Sequence, residues 1–251
     1  MKENLSATVR QLVEQQGGRL LHLCVCGSRS FGYASPQSDY DVRFIYAFPM
    51  DRYFWLESPP EELRLEGADA VGYELGKFLR IAYKNGWNAL EMLETPSWYS
   101  HECINELREL CRSAFRPERA AHSLYGCALA YLRRLSHLPQ SEQGSEVECK
   151  LLLGALRTLL AAKYSLEVRK PYPLLMVELV RLMGEPELCR VVAALTESRR
   201  LSVPVSAEII AQARQYCDVL QASLSDICVE TQQETSPAAL ESFYFKIIRR
   251  L

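Results

Sequence analysis

The segment that most constrains this chain is CGSRSFGYASPQSDYDVRF, residues 26–44, in which Asp-x-Asp follows a Gly-Ser pair after ten residues. Side chains at positions i and i+2 of a strand point to one face, so Asp39 and Asp41 are expected to project together. Two carboxylates this close repel each other unless a cation lies between them, and Mg²⁺ binds carboxylate and phosphate oxygens. The pattern therefore predicts a magnesium site that receives a phosphate.

The Gly-Ser pair predicts the phosphate-binding side of this site. Gly27 lets the backbone approach a ligand closely, and Ser28 offers a hydroxyl and an N–H group. An in-line displacement between two metal ions needs a third carboxylate, and Asp69 in EGADAVGYEL is the best candidate. We therefore expect Asp39, Asp41 and Asp69 to hold two Mg²⁺ ions, with Mn²⁺ as the alternative, and Asp69 to act as general base.

Two arginines flank the predicted site. Arg43 shares the face of the Asp pair, so it either contacts a triphosphate or neutralises a carboxylate. Arg29 follows the turn and is expected to guide phosphate. Elsewhere, the pair Arg199-Arg200 is interpreted as surface charge, and the aromatic segment of residues 51–60 is expected to cover the sheet rather than to stack a base.

The apolar pattern predicts an α+β protein: a small mixed sheet with flanking helices, followed by an all-helical part. Strands are expected at residues 19–26 and 40–48, and a weaker one at 69–73, because these runs are apolar, β-branched or aromatic. Beyond residue 116 the spacing is helical to the end. We expect two domains, a nucleotide-binding head over residues 1–115 and a helical domain over residues 116–251.

Composition limits the classes of partner. The formal charge of -2, from 29 basic and 31 acidic residues, gives no global attraction to nucleic acid, so contact with RNA must use a local basic patch. Nine cysteines lie mostly in apolar runs, which is typical of thiols in a reducing compartment. No run of about 18 apolar residues occurs, so we expect a cytoplasmic protein without membrane contact. The oligomeric state stays open.

The motif also carries a resemblance to a known family. The string GSRSFGYASPQSDYDVRFIY is similar to the signature of the DNA polymerase β-like nucleotidyltransferase superfamily. Within it, the chain resembles the RNA repair pathway DNA polymerase β family, with further similarity in DAVGYELGKFLR, GWNALEMLETP, KLLLGALRTLLAAKY and KPYP. The resemblance covers most of the first 180 residues. It implies Mg²⁺-dependent transfer of a nucleoside monophosphate from a nucleoside triphosphate to an acceptor hydroxyl, with an RNA 3′ end as the acceptor.

The resemblance extends the predicted site to three residues of the helical part. Lys150 and Arg157 lie seven residues apart on one helix face, where the small residue Gly154 is expected to leave room for an extended anion. The matching family segments favour a nucleotide or phosphate contact for both cations, and for His122 in HSLY, which otherwise reads as a core histidine.

Two alternatives to an RNA acceptor remain. The same chemistry can transfer a nucleotide to a protein or a small molecule, as in antitoxin-like and antibiotic-modifying nucleotidyltransferases, and the near-neutral charge favours this alternative. The chain can also be a catalytically silent binding module of an RNA repair complex. A large separation between Asp69 and the Asp pair would favour the silent module.

Overall fold

The computed structural model describes residues 2–142, 144–225 and 236–251. The strands are β1 Arg19–Cys26, β2 Asp41–Ala47, β3 Glu62–Leu65, β4 Ala70–Glu74 and β5 Ser97–Ser100. The α-helices are α1 Lys2–Gln15, α2 Ser28–Phe31, α3 Leu75–Tyr83, α4 Trp87–Glu94, α5 Cys103–Ser113, α6 Pro117–Ser136, α7 Glu146–Val168, α8 Met176–Met183, α9 Pro186–Leu201, α10 Ala207–Leu224 and α11 Ala238–Ile248. Short 3₁₀ helices cover Met50–Phe54 and Gln140–Glu142.

The five strands form one mixed sheet in the order β3-β4-β2-β1-β5. β1 pairs antiparallel with β2 and β5, β3 pairs antiparallel with β4, and the central pair β2 and β4 is parallel. The predicted strands at residues 19–26, 40–48 and 69–73 correspond to β1, β2 and β4, and the predicted mixed sheet is confirmed. β3 and β5 were not predicted, because each has only four residues and exposes part of its side chains.

Both faces of the sheet are covered, which explains the nearly continuous apolar run of β1. Leu20, Leu23 and Val25 pack on one side against α1, while Leu21 and Cys24 pack on the other against α3, α4, α5 and α11. A register irregularity between Leu20 and His22 shifts the alternation of β1 between the two faces. Across the sheet centre, the ring of Phe44 lies against Gly72, where a Cβ atom would stand 2.0 Å from it.

Contacts divide the described chain into two compact units. The sheet unit contains residues 2–30, 39–115 and 236–251, and the helical unit contains residues 31–38, 116–142 and 144–225. The predicted domains, 1–115 and 116–251, differ from these units in two places. The spacer of the motif, residues 31–38, packs with the helices because α9 binds it, and α11 packs with the sheet because Phe243 and Ile247 join the core beside Leu75 and Phe78.

The aromatic segment after β2 divides between core and surface. Tyr53 donates a hydrogen bond to the buried carboxylate of Glu74 at 2.6 Å, so this ring packs on the sheet unit as predicted. Phe54, Trp55 and Leu56 are exposed, so the prediction that the whole segment covers the sheet is wrong. The short 3₁₀ helix ends at Phe54 and contains no buried residue.

Two further expectations concern composition. None of the eight cysteines in the described residues forms a disulfide, and six of them are buried. In the part of the chain that the structure describes, no helix combines the length and the apolar character that crossing a membrane requires.

Candidate active site

The parallel pair β2 and β4 places two of the predicted carboxylates side by side. Asp41 is the first residue of β2, and Asp69 directly precedes β4. The backbone N–H of Val42 donates to the carbonyl of Asp69 at 2.8 Å, and Val42 stands opposite Ala70 in the register. The first residues of parallel neighbours meet at one edge of a sheet, so the fold itself brings Asp41 and Asp69 together.

Gly27 leaves the space that the Asp41 carboxylate occupies. Cys26 pairs with Asp41 in the sheet, so the next residue, Gly27, turns directly beside that carboxylate. Gly27 has a φ of 70°, and a Cβ atom there would stand 1.8 Å from Asp41 Oδ2. Both observations exclude a side chain at this position. The sequence predicted that Gly27 lets a ligand approach the backbone. In this structure the group that approaches Gly27 is the carboxylate of Asp41.

Arg43 neutralises Asp69. Its Nη1 atom lies 2.8 Å from Asp69 Oδ1 and also donates to the carbonyls of Val42 at 2.8 Å and of Asp69 at 3.3 Å. Burial works against ionisation of Asp69, but the hydrogen bonds of Arg43 and Asp41 outweigh it and hold the pKa of this carboxyl below its ordinary value. Of the two interpretations of Arg43, the structure therefore contains the one in which it neutralises a carboxylate.

Asp39 is not part of the strand that begins at Asp41. It precedes β2, which begins at Asp41 and not at Tyr40, and its side chain is exposed. Asp39 and Asp69 both line a cleft of about 720 Å³, together with Tyr40 and three residues of α1. Within the described residues, no three or more His, Cys, Asp or Glu side chains stand close enough together to hold a metal ion.

The phosphate-binding candidates of the sheet unit lie at the start of α2. Ser28 is buried and is the first residue of this helix. Ser30 closes the turn, since its N–H and its hydroxyl both donate to the carbonyl of Gly27, at 3.0 and 2.9 Å. Arg29 donates from Nε to the carbonyl of Asp39 at 3.2 Å, and its guanidinium lies 4.0 Å from the centroid of the Tyr40 ring.

The predicted anion-binding face of the long helix α7 does not exist as expected. Lys150 is exposed, but Arg157 is buried, and every residue from 151 to 162 is buried as well. A Cβ atom on Gly154 would stand 2.7 Å from the ring of Tyr131, so this small residue admits a side chain of α6 and leaves no room for an extended anion. His122 is exposed on α6, which excludes a core histidine.

Two buried arginines hold the spacer of the motif instead. The guanidinium of Arg157 lies 3.5 Å from the centroid of the Phe31 ring. Arg199 donates from Nε to the carbonyl of Tyr33 at 3.1 Å and from Nη2 to Ser38 Oγ at 3.2 Å. Ser38 is the residue directly before Asp39, so the helical unit holds the chain up to the first aspartate.

The prediction that Arg199 is surface charge is therefore wrong, since only 2% of its surface is exposed. The sequence contained the signal: the buried residues of α9 recur at positions 188, 191, 192, 195, 198 and 199, so Arg199 falls on the apolar stripe. A charge on such a stripe indicates a buried partner. Arg200, one position further, is exposed and pairs with Glu197.

A mixed sheet whose parallel neighbours present two aspartates beside a Gly-Ser turn is the arrangement that the resemblance of the motif to the DNA polymerase β-like superfamily predicts. The sequence matches the model of the RNA repair pathway DNA polymerase β family over residues 1–243. It is 32% identical over 209 residues to YcgL, an uncharacterised protein of Bacillus subtilis (strain 168), and the match covers 80% of this chain and 77% of the relative. The chain therefore belongs to the RNA repair pathway DNA polymerase β family, as the motif predicts.

The chain also aligns with the crystal structure of a nucleotidyltransferase-like protein from Exiguobacterium sibiricum 255-15. The alignment covers 100% of this chain and 80% of that chain, at 13% sequence identity and a TM-score of 0.38.

Proposed function

We propose that the chain is a Mg²⁺-dependent nucleotidyltransferase that moves a nucleoside monophosphate from a nucleoside triphosphate to an acceptor hydroxyl, an RNA 3′ end. The observation that supports this most is the position of Asp41 and Asp69 on parallel neighbouring strands beside Gly27. Such a pair of carboxylates needs a cation, and the Arg43 guanidinium supplies one to Asp69 in this structure. The RNA acceptor is taken from the name of the family.

The chemistry of the three carboxylate donors suits magnesium, although they do not form a ligand cluster in the described structure. Asp41 and Asp69 interact through their carboxyl groups, and Asp39 lines the same cleft as Asp69, so three hard oxygen donors belong to one region of the sheet unit. We assign Asp39 and Asp41 to both ions and Asp69 to one of them. When bound, the ions supply positive charge for the transferred phosphoryl group and for the leaving pyrophosphate.

The residues of the chain have separate roles in this proposal. A new bond forms between the acceptor oxygen and the α-phosphorus, and the bond from that phosphorus to the bridging oxygen of the pyrophosphate breaks. Asp69 accepts the proton of the attacking hydroxyl once Arg43 has exchanged its carboxylate for a phosphate oxygen, because this exchange frees a carboxylate oxygen to face the acceptor. Ser28 and the backbone at Gly27 hold the terminal phosphates.

The helical unit contributes less than the sequence suggested. Lys150 and His122 are exposed, and their contact with nucleotide stays a prediction. Arg157 contacts Phe31 of the spacer and is withdrawn from the phosphate-binding set. Its effect on the reaction is expected to come from holding residues 31–38.

The test is incubation of the pure protein with each of the four α-labelled nucleoside triphosphates, Mg²⁺ and RNA with free 3′ ends, beside the variant Asp41→Asn. We expect label on the RNA with the wild type and its loss with the variant. Parallel reactions that replace RNA with protein or small hydroxyl acceptors test the alternative acceptors. Label transfer that survives Asp41→Asn would contradict the proposal.

The silent binding module is the second candidate, and one observation favours it. The ion pair of Arg43 with Asp69 occupies a carboxylate that catalysis needs, and the three aspartates do not form a ligand cluster in the described structure. Calorimetric titration with Mg²⁺ and a nucleoside triphosphate separates the candidates. A nucleotidyltransferase binds both together and loses this with Asp41→Asn, whereas a silent module binds RNA without responding to either.

A further inference from the structure

A row of cations and aromatic rings begins beside the Gly-Ser turn. The guanidinium of Arg29 lies 4.0 Å from the centroid of Tyr40. The Tyr40 ring lies 5.7 Å from that of Trp98, at an interplanar angle of 49°. The Nζ atom of Lys2 lies 5.7 Å from the centroid of Trp98. Cation, ring, ring and cation thus follow one another within one unit of the protein.

A second cation–aromatic pair involves the next residue of β5. The guanidinium of Arg10 lies 4.6 Å from the centroid of Tyr99, the residue after Trp98. β5 is an edge strand of the sheet, and its two aromatic side chains are half-buried and pack against the core beside α1. We call the following six residues the cation–aromatic strip: Lys2, Arg10, Arg29, Tyr40, Trp98 and Tyr99.

The strip starts at the candidate active site. Arg29 follows Ser28, and Tyr40 lies between Asp39 and Asp41 in the chain. Tyr40 also lines the cleft that contains Asp39 and Asp69. A ligand bound along the strip therefore ends among the carboxylates.

The charges of Lys2 and Arg10 are available to a ligand. Neither Lys2 nor Arg10 forms an ion pair with a carboxylate of the described residues, whereas arginines such as Arg190 and Arg200 pair with a glutamate on their own helix. A cation above an aromatic ring keeps its charge and its hydrogen-bond donors toward the solvent. A phosphate oxygen can accept those donors without displacing another acid.

Aromatic rings flanked by cations match the chemistry of a single-stranded polynucleotide. Unpaired bases stack on aromatic faces and on guanidinium planes, and the backbone between them carries a charge at each phosphate. A duplex presents its bases only as edges, and an acidic peptide has the charges without the flat rings. The net charge of the protein is -2, so the strip supplies the local basic patch that binding of a polyanion requires.

We propose that the cation–aromatic strip binds a single-stranded polynucleotide and directs its end into the cleft beside Asp39 and Asp69. The assignment of the strip as the acceptor site of nucleotidyl transfer rests on the proposed function. Binding of a polynucleotide to the strip does not depend on that function. Stacking and phosphate contacts are common to RNA and single-stranded DNA, and the strand that belongs to the proposed reaction is RNA.

The test is fluorescence anisotropy with a labelled ten-nucleotide RNA, without nucleoside triphosphate, beside DNA of the same sequence and an RNA duplex. Trp98→Leu keeps an apolar side chain in the core but removes the stacking face, and Trp98→Phe restores a ring. Loss of one stacked base corresponds to about a tenfold or larger rise in Kd. We expect that rise for Trp98→Leu and near wild-type binding for Trp98→Phe.

Two controls separate the strip from other surfaces and from catalysis. Trp55 is exposed and stacked under Arg52 in the same unit, so Trp55→Leu removes a comparable cation–aromatic pair outside the strip and should leave Kd unchanged. Asp41→Asn should abolish transfer and leave RNA binding intact, so failure of the proposed function and failure of the strip give different results.

Salt dependence checks the charges. Each phosphate neutralised on a single strand contributes a slope of about -0.7 to log K against log salt concentration, so Arg10→Gln should reduce the slope by about that amount. The proposal is supported if single-stranded RNA binds more tightly than the RNA duplex and this binding depends on Trp98, whether or not single-stranded DNA binds as well. It is overturned if duplex or a polyglutamate peptide binds as tightly as single strands, or if Trp98→Leu has no more effect than Trp55→Leu.

Discussion

The substitution Gly27→Ala tests the geometry of the candidate site with an effect that the structure sets. The new Cβ atom would stand 1.8 Å from Asp41 Oδ2, and Cβ atoms approach other heavy atoms no closer than 3.0 Å, so the carboxylate must move by about 1.2 Å. A displacement of about 1 Å at a reacting group lowers rates on the order of 100-fold. The backbone adds its own cost, because a residue with Cβ at a φ of 70° loses about 1–2 kcal/mol.

Gly17→Ala is the matched control. Gly17 has a φ of 77°, and a Cβ atom there meets nothing within 4 Å, so this variant has the backbone cost without the collision. Urea denaturation should show a loss of stability of about 1–2 kcal/mol for Gly17→Ala and at least that loss for Gly27→Ala. The nucleotidyl transfer assay should show a loss of about 100-fold for Gly27→Ala alone. Equal transfer rates for the two variants would refute the assignment of Asp41 beside Gly27.

Two further predictions concern stability. Arg199→Met should destabilise the protein by roughly 2–4 kcal/mol, because the buried carbonyl of Tyr33 and the part-buried hydroxyl of Ser38 lose a charged donor. Arg200→Met, at the exposed neighbouring position, should cost less than about 0.5 kcal/mol. Equal effects of the two substitutions in chemical denaturation would contradict the spacer contacts. His22 is buried and donates from Nε2 to the carbonyl of Met92 at 3.0 Å, and burial lowers its pKa to about 4. Between pH 6.5 and 4 the unfolded chain binds a proton at this position that the folded chain does not. The free energy of unfolding should therefore decrease by up to about 3 kcal/mol as the pH is lowered from 6.5 to 4. His22→Gln should reduce that dependence.

The sheet around the site was predictable where the sequence has local signals. β1 and β2 are apolar or β-branched over seven or eight residues, and Asp69 precedes a recognisable strand, so the meeting of Asp41 and Asp69 followed from strand pairing. β3 and β5 have four residues each, which is too short for a periodicity to show, and their pairing comes from the sheet.

The contacts of the spacer could not be read from the sequence. Residues 31–38 contain no regular pattern, and Arg199 reaches Tyr33 across 166 positions of the chain. Arg157 illustrates the same limit, because a helix that is buried on all sides gives no sign of which face a cation uses. The strip was also missed, since its rings and cations come from α1, the Gly-Ser turn, the residue before β2 and the strand β5.

The most direct measurement is a crystal structure of the protein with Mg²⁺ and a nucleoside triphosphate analogue that cannot be cleaved. We predict metal ions between the carboxylates of Asp41 and Asp69, phosphates beside Gly27 and Ser28, and an Arg43 side chain that has left Asp69 for the phosphates. An Arg43 that keeps its 2.8 Å contact with Asp69 while the nucleotide binds elsewhere, or does not bind, would contradict it.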